Sequence, residues 1–497
     1  MRQGFALTAL FAVALGAAAL ALMGGGNSES DGGADGSHGG TESPDRSNLI
    51  VVMTDDQTLA SFSPEVMPFT SRLFAQRGTV FDLAFATPPL CCPARASFLT
   101  GQYPHSNGVL GNVPGYGALR EPRSTLPAWL RRAGYATAVV GKFVNGREGV
   151  AEPAPGWDSW SVFLGYPDYH GYELSLDGKV RSYGGAPRDY STRVLTRRAI
   201  RFMRESSGRD QPYFLWLAYN APHIVEGGPP PCEKALAQPA NPADYEAFAS
   251  AELPRPPSFD EADAEDKPRW VRRKRRLSKA DVEELTLRWR CSLASLRAAD
   301  RGIRRLVTEL ADTGELERTV LVFFSDNGYF FGEHRFTGDK RLPYEATAHV
   351  PMAIAVPEGL RDGARPKRVD EPVGIADLAP TLLDYANVEP CLGGGSCRRL
   401  DGRSLSGLLE GDEEGWPRNR AILLELDDGY TYAALRTRRH LYAEYVADRR
   451  GKLPRPAIEL YDMRSDPAQL RNLWQEKRPR ARQLAKRLGD RLERLRR

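Results

Sequence analysis

Four short apolar runs, each ending in polar residues, organise the first two thirds of this chain. They are "NLIVVMTDD" from Asn48, "YATAVVGKF" from Tyr135, "PYFLWLAYNAPH" from Pro212 and "TVLVFFSDNG" from Thr319. Continuous apolar runs without in–out alternation predict strands buried on both faces, the pattern of a mainly parallel sheet between helices. Helical patterns lie between them. In "STLPAWLRRAGY", for example, Ser124 or Thr125 can cap a helix and Gly134 can stop it. Ligands of such sheets gather at the carboxyl ends of the strands, and that is where the polar tails converge.

Two stretches depart from this rhythm. Residues 227–267 are rich in Pro, Ala and acids and predict a surface insertion, followed by a basic and then amphipathic helical stretch. The basic run Arg272–Arg276 within it is either a solvated helix face or an edge that binds a polyanion. From residue 401 to the C-terminus, short strands in "AILLELDDGYTYAALRTRRHLYAEYV" and a basic terminal helix predict a smaller antiparallel domain. No internal repeat is visible.

Composition adds limits. With 497 residues, 41% hydrophobic and 27% charged, the chain is neither disordered nor confined to one small core. A formal net charge of +4 permits acidic ligands without announcing them, and nothing points to nucleic acid. The N-terminus differs. Arg2 precedes an apolar run from Phe5 to Met23, between the length of a signal-peptide core (~7–15 residues) and a membrane span (~20). Residues 1–23 therefore read as a signal peptide or an uncleaved signal anchor. Residues 24–47, rich in Gly, Ser and Asp, read as a flexible linker. The chain is expected to be secreted or held at the cell surface, touching a membrane only if the segment is uncleaved.

In an oxidising compartment Cys391 and Cys397 can close a short loop, and Cys232 with Cys291 is the pairing left by elimination. That leaves Cys91 and Cys92, adjacent residues that rarely bond each other. They open "CCPARASFLTG", which predicts a helix with Pro93 in its first turn and Gly101 as its stop. Cys91 then lies at a helix N-terminus, where backbone N–H groups favour an anion, with Arg95 one turn on. Asp55–Asp56 and Asp326–Asn327 add oxygen ligands suited to a hard cation, Ca²⁺ or Mg²⁺, rather than zinc. Together these make a site for a tetrahedral oxyanion.

Cys91-x-Pro93-x-Arg95 with Leu99-Thr100-Gly101 resembles the signature of the type I sulfatases of the alkaline-phosphatase superfamily. "GKFVNG", "NAPH", "SDNGYFFGEH", "DKRLPYE" and "LYDMRSDPAQLRNLW" fall in the family's order, so the resemblance runs from about Asn48 to Trp474. The double cysteine, "KFVN" and "DKRLPYE" are most similar to the N-acetylglucosamine-6-sulfatase and heparan-sulfate endosulfatase branch. The resemblance implies an α/β fold: an alkaline-phosphatase-like catalytic domain over residues 48–400, and a smaller C-terminal α+β domain over 401–497. It implies hydrolysis of sulfate esters on a sulfated carbohydrate, with Cys91 converted to formylglycine by a formylglycine-generating enzyme. Asp55, Asp56, Asp326 and Asn327 match calcium ligands, with residue 91 completing the shell, and a covalent sulfoenzyme is the implied intermediate. Arg95 would hold the formylglycine hydrate, Lys142 and Lys340 the sulfate, and His223 would face the leaving oxygen. Many sulfatases carry a histidine two residues after the lysine that matches Lys142. Here Val144 and Asn145 follow instead, leaving His105 and His334 as candidate bases, while His170, His349 and His440 read as structural. Pocket-lining residues are expected from residues 165–180 and from the insertion after His223. A formylglycine-dependent phosphodiesterase or phosphonate monoester hydrolase, a non-catalytic glycan-binding member and a cysteine–histidine thiol hydrolase remain alternatives.

Overall fold

A computed structural model describes residues 46–208, 211–225, 227, 230–233, 236–392 and 397–497. The expected signal or anchor over 1–23, and residues 24–45 of the linker, lie outside the described residues. No described helix is long and apolar enough to cross a membrane.

The four apolar runs form four strands, Asn48–Thr54, Ala136–Gly141, Tyr213–Ala218 and Thr319–Ser325, and these lie side by side. Thr319–Ser325, Asn48–Thr54, Tyr213–Ala218 and Ala136–Gly141 follow one another in the sheet, all parallel. Antiparallel pairing appears only outward, at Met352–Ala355 on one side and at Glu173–Leu176 beyond Ser159–Phe163 on the other, giving a mixed ten-stranded sheet. Alternate residues of each strand face opposite layers. Leu49, Val51, Phe214, Trp216, Val322 and Phe324 meet the helices Cys91–Thr100, Leu126–Arg132 and Leu378–Ala386. Ile50, Val52, Leu215, Leu217, Leu321 and Phe323 meet Ser191–Ser206 and the long helix Lys279–Asp312. Both faces are covered, which is why the strands read as unbroken apolar runs.

The C-terminal region is a four-stranded antiparallel meander, Ala421–Asp427, Thr431–Thr437, His440–Asp448 and Gly451–Asp462, backed by the helix Pro479–Leu495. One of its faces packs Ile422, Leu424, Tyr445 and Tyr461 against Phe330, Phe336, Leu342 and Tyr344. The sheet thus shares a core with the loop that follows Thr319–Ser325.

Two disulfides are present, Cys232–Cys291 and Cys391–Cys397, and Cys91 and Cys92 are free. The first ties the segment after His223 to the long helix.

The basic run is not the solvated helix face that is one of the two readings expected of it. Only Arg269–Arg272 make a turn of helix, and the long helix begins after Ser278. Ser278 and Asp281 form a reciprocal capping box there, which satisfies the helix's first N–H groups and sets its start beyond the arginines. Arg275 pairs with Asp281 at 2.6 Å and Arg276 with Asp260 at 2.7 Å.

Candidate active site

The carboxyl ends of the four parallel strands place the polar tails in one spot. Asp55 and Asp56 follow the first strand, Lys142 the second, His223 the third, and Asp326 and Asn327 the fourth. Lys142 turns inward immediately after Gly141, whose φ of +117° and contact with Ala218 leave no room for a side chain. A Cβ there would lie 1.9 Å from the Ala218 carbonyl oxygen. The helix Cys91–Thr100 is buried along its whole length and ends on Gly101 in the left-handed conformation (φ +63°). It points its first residue, Cys91, at the carboxylates.

Cys91 Sγ lies 3.4 Å from Asp55 Oδ1 and accepts from Lys340 Nζ at 2.9 Å. Lys340 also pairs with Asp56, and Lys142 with Asp55. Arg95 donates from Nε to Asp326 Oδ2 at 2.8 Å and lies 3.3 Å from Asp55. Its Nη1 donates to the Lys142 carbonyl at 2.5 Å. Asp56 N–H donates to Asp326 Oδ1 at 3.2 Å, and Asn327 Nδ2 to Asp56 Oδ1 at 2.6 Å. Three carboxylates and three cations are therefore interleaved, with Asp55, Arg95 and Asp326 fully buried and the others nearly so.

His223 Nε2 lies 3.8 Å from Asp56, while Nδ1 contacts the Ile224 carbonyl at 2.6 Å and the Tyr166 hydroxyl at 3.3 Å. The Ile224 contact assigns the proton to Nδ1 and turns Nε2 toward the site.

These contacts set the charges. Burial alone would raise the Asp55 carboxyl, but Lys142, His223, Arg95 and Lys340 hold it well below the usual range. Asp326 is pushed up to about 6 by burial and by the Asp55 charge, against Arg95. Burial, then Lys142, brings His223 down to about 4. Burial and Asp55 push the Cys91 thiol up to about 12.

Ligand atoms of Asp55, Asp56, Cys91 and His223 lie within 4.8 Å of one another. Sulfur and imidazole in that group alone would also suit zinc. Asn327 Oδ1, however, is buried without a hydrogen-bond donor, and with the Asp326 carboxylate beside it the set is dominated by hard oxygen donors. The residues fit a calcium-like cation.

A cavity of about 390 Å³ opens over this cluster, with Asp56, Cys91, Lys142, His223 and Lys340 in its wall. Cys92 is absent from that wall. Its sulfur lies 3.8 Å from the Asn145 carbonyl, inside the apolar core. The two candidate bases are elsewhere. His105 is clamped by Glu425 at 2.6 Å and His334 by Glu261 at 2.8 Å, and neither lines the cavity. His349, bonded to Glu345 and the Asp82 carbonyl, is structural as expected.

Of residues 165–180 only Gly165, Tyr166 and Pro167 reach the cavity; Glu173–Leu176 and the start of Lys179–Ser182 are strands at the edge of the sheet. Of the described residues after His223 before the long helix, only Ile224 does so. Sequence reasoning passed over Asn112, Arg147, Asp339 and Arg341, which also line the wall. Asn112 accepts from the Cys92 N–H at 3.1 Å, while its own N–H donates to Asp428 at 2.8 Å. Arg341 reaches the same Asp428 at 3.1 Å.

The "Sulfatase" family model matches residues 47–388, and the model for the C-terminal part of N-sulphoglucosamine sulphohydrolase matches 332–497. The chain is 32% identical over 417 residues to the extracellular sulfatase SULF-1 homolog of Drosophila melanogaster, covering 82% of this chain and 34% of that protein. It is 31% identical over 384 residues to the N-acetylglucosamine-6-sulfatase of Homo sapiens, covering 74% of this chain and 65% of that one. These relatives are thus spanned only in part. The fold matches a solved protein in complex with its substrate D-glucosamine-2-N,6-O-disulfate, at a TM-score of 0.73 and 24% identity, over 90% of this chain and 97% of that one. It also matches the phosphonate monoester hydrolase of Silicibacter pomeroyi, at a TM-score of 0.65 and 22% identity, over 90% and 95% of the two chains.

Proposed function

The chain belongs to the sulfatase family, and from that premise we propose that it hydrolyses sulfate esters of a sulfated amino sugar, such as N-acetylglucosamine 6-sulfate or a heparan-like glycan. The observation that carries this is the meeting of Cys91, at a helix N-terminus, with an oxygen-donor cluster and two lysines in one cavity wall. The names of the relatives support the sugar class: N-acetylglucosamine-6-sulfatases of Homo sapiens and of Bacteroides thetaiotaomicron, the latter aligned over 87% of this chain.

Asp55, Asp56, Asp326 and Asn327 would hold calcium, and residue 91 would be formylglycine; bound together they supply positive charge and an activated hydroxyl beside the ester sulfur. Maturation would require a formylglycine-generating enzyme. Arg95 fixes the carboxylates: bonded to Asp326, close to Asp55 and anchored on the Lys142 carbonyl, it keeps their oxygens turned inward. Lys142 and Lys340 stand where they can bind sulfate oxygens and neutralise charge that builds on them during transfer. His223 presents Nε2 to the cavity, facing the departing sugar oxygen; with its resting proton on Nδ1, Nε2 must first take up a proton before it can pass one to that oxygen. Among the described residues it is the only imidazole in the cavity wall.

Secretion or cell-surface display is part of the same reading. It is supported by the apolar run near the N-terminus, two disulfides and a relative named an extracellular sulfatase.

Full-length protein from a host that makes formylglycine tests the proposal on N-acetylglucosamine 6-sulfate, an aryl sulfate and an aryl phosphodiester. Sulfate release that stops with a chelator and returns with calcium is the expected result. Faster cleavage of the phosphodiester would move the chain to the phosphorus-ester branch.

A further inference from the structure

Beside the catalytic cavity lies a second cavity of about 230 Å³ that the chemistry above does not use. Five cations, Arg269, Arg273, Lys274, Arg449 and Arg450, line it against a single carboxylate, Asp448. Two rings complete the wall: Trp270 packs on Tyr430 at 5.7 Å between centroids. The two cavities share a partition. Asp339, in the catalytic wall, pairs with Arg449, in the wall of the second.

The cations divide into those already engaged and those left over. Arg269 is bonded to Asp448 at 2.7 and 3.0 Å. Arg449 is held by Asp339 and lies 5.4 Å from the Tyr430 ring centroid. Lys274 sits on the Phe336 ring at 3.9 Å. Arg273 and Arg450 are exposed, and neither forms an ion pair among the described residues. The contrast with Arg275 and Arg276 is informative. Those neighbours in the same run are paired with acids of this chain, so the run as a whole is not simply a soluble charged surface. Of the run's arginines without an acid, Arg273 lines the cavity and Arg272 does not; Arg450, whose backbone N–H donates to Asp448 at 2.9 Å, adds a second guanidinium with no ion pair among the described residues. Rings beside unpaired guanidinium groups form a surface that accepts a sugar ring together with its anionic substituent.

We propose that this cavity is a second sugar subsite, binding an anionic group (sulfate or carboxylate) on the residue adjoining the one whose ester enters the catalytic cavity. Arg273 and Arg450 are its anion ligands, and the Asp339–Arg449 pair separates it from the reacting centre. The proposal rests on the sulfatase reading for its geometry, since the neighbouring sugar is defined by the one being cleaved. It makes the protein a reader of acidic oligosaccharides rather than of single sugars.

The test compares full-length wild type, R273A/R450A and a charge-matched control, R480A/R487A, whose changes lie on the exposed side of the C-terminal helix. Binding of a size-defined heparin hexasaccharide is measured by calorimetry at two salt concentrations. The expected result is a loss of about tenfold in affinity for R273A/R450A alone, with a shallower salt dependence. Turnover of an aryl sulfate by that variant should equal wild type, and KM for the hexasaccharide should rise with kcat unchanged. A non-sulfated heparosan hexasaccharide separates the two anions: if R273A/R450A weakens its binding as well, the carboxylate is the ligand, and if only the sulfated chain is affected, sulfate is. Affinity of R273A/R450A equal to wild type, or reduced no further than the control, would overturn the subsite. Failure of the sulfatase reading registers separately, as wild type that turns over no sulfate ester, and the binding comparison still decides the cavity.

Discussion

Tyr344 donates its hydroxyl to Glu459 at 2.6 Å, joining the loop that carries Lys340 to the C-terminal sheet. Glu459 is fully buried and also accepts from Tyr445 at 2.7 Å and Tyr461 at 2.6 Å. One carboxylate thus collects three phenols, two from its own sheet and one from the catalytic loop. Glu459→Ala leaves three buried hydroxyls without an acceptor, and should cost on the order of 3 kcal/mol. Urea unfolding monitored by tryptophan fluorescence measures it. Tyr344→Phe should cost only about 1 kcal/mol, because the other two phenols still satisfy the acid.

The two adjacent cysteines should part company under mutation. Cys91→Ala removes the reacting group from the cavity wall, and turnover should fall to background with the unfolding midpoint nearly unchanged. Cys92→Ala trims a core side chain, costing about 1 kcal/mol of stability and little activity. Mass measurement of the tryptic peptide Gly78–Arg95 from wild type should find an aldehyde at residue 91 and a thiol at 92.

Arg95 and Lys340 are both cations of the site, yet they should fail differently. Arg95 is wholly buried between Asp326 and Asp55. Its removal strands carboxylates in a dry interior, so Arg95→Ala should lose about 3–5 kcal/mol and much of its soluble yield. Lys340 borders the cavity, and Lys340→Ala should fold while losing turnover. Thermal melts beside kinetic assays separate the two. A stable, inactive Arg95→Ala would count against the structural role given to it.

Acid should reveal one ion pair of the loop. Burial alone would raise the Glu345 carboxyl, but Arg436 and His349 bring it from the usual 4.5 to about 2. A depressed carboxyl stabilises the fold fully above its unfolded value and loses that contribution as pH falls toward the folded one. Glu345→Gln should therefore be less stable than wild type at pH 7, with the gap narrowing between pH 4.5 and 2. Denaturation midpoints of the two proteins at pH 7 and pH 3.5 provide the comparison, and a gap that stayed constant would sink the assignment.

The parallel core and its ligands were legible because each strand is an unbroken apolar run whose polar tail marks its carboxyl end. Local chemistry singled out Asp55, Asp56, Asp326 and Asn327 as oxygen donors, whereas Lys142 and His223 were picked out by the family resemblance. Local chemistry also sufficed for the helix from Cys91, where Pro93 and Gly101 bracket the element. What escaped depends on partners far away in the chain. Asn112 sits in a loop with no pattern, and its place is set by Asp428, more than 300 residues on. His334 looked available because Glu261, which claims it, lies in a segment without periodicity. The basic run is a different miss. Ser278 and Asp281 carry a legible helix start, and a capping box placed there would have ended the expectation of a basic helix face.

Burial of Cys91 has a consequence for the order of events in biosynthesis. In the finished fold the residue is 2% exposed, beneath a wall made by strands that end at Thr54, Ala218 and Ser325. A small ester can reach it through the cavity, but another enzyme's catalytic centre cannot close around it. On the reading proposed here, its conversion to formylglycine belongs to the growing polypeptide. The strand Thr319–Ser325 is made more than 200 residues after Cys91, roughly ten to fifty seconds later at ~5–20 residues per second. Its pairing with Asn48–Thr54 is the step that closes that interval.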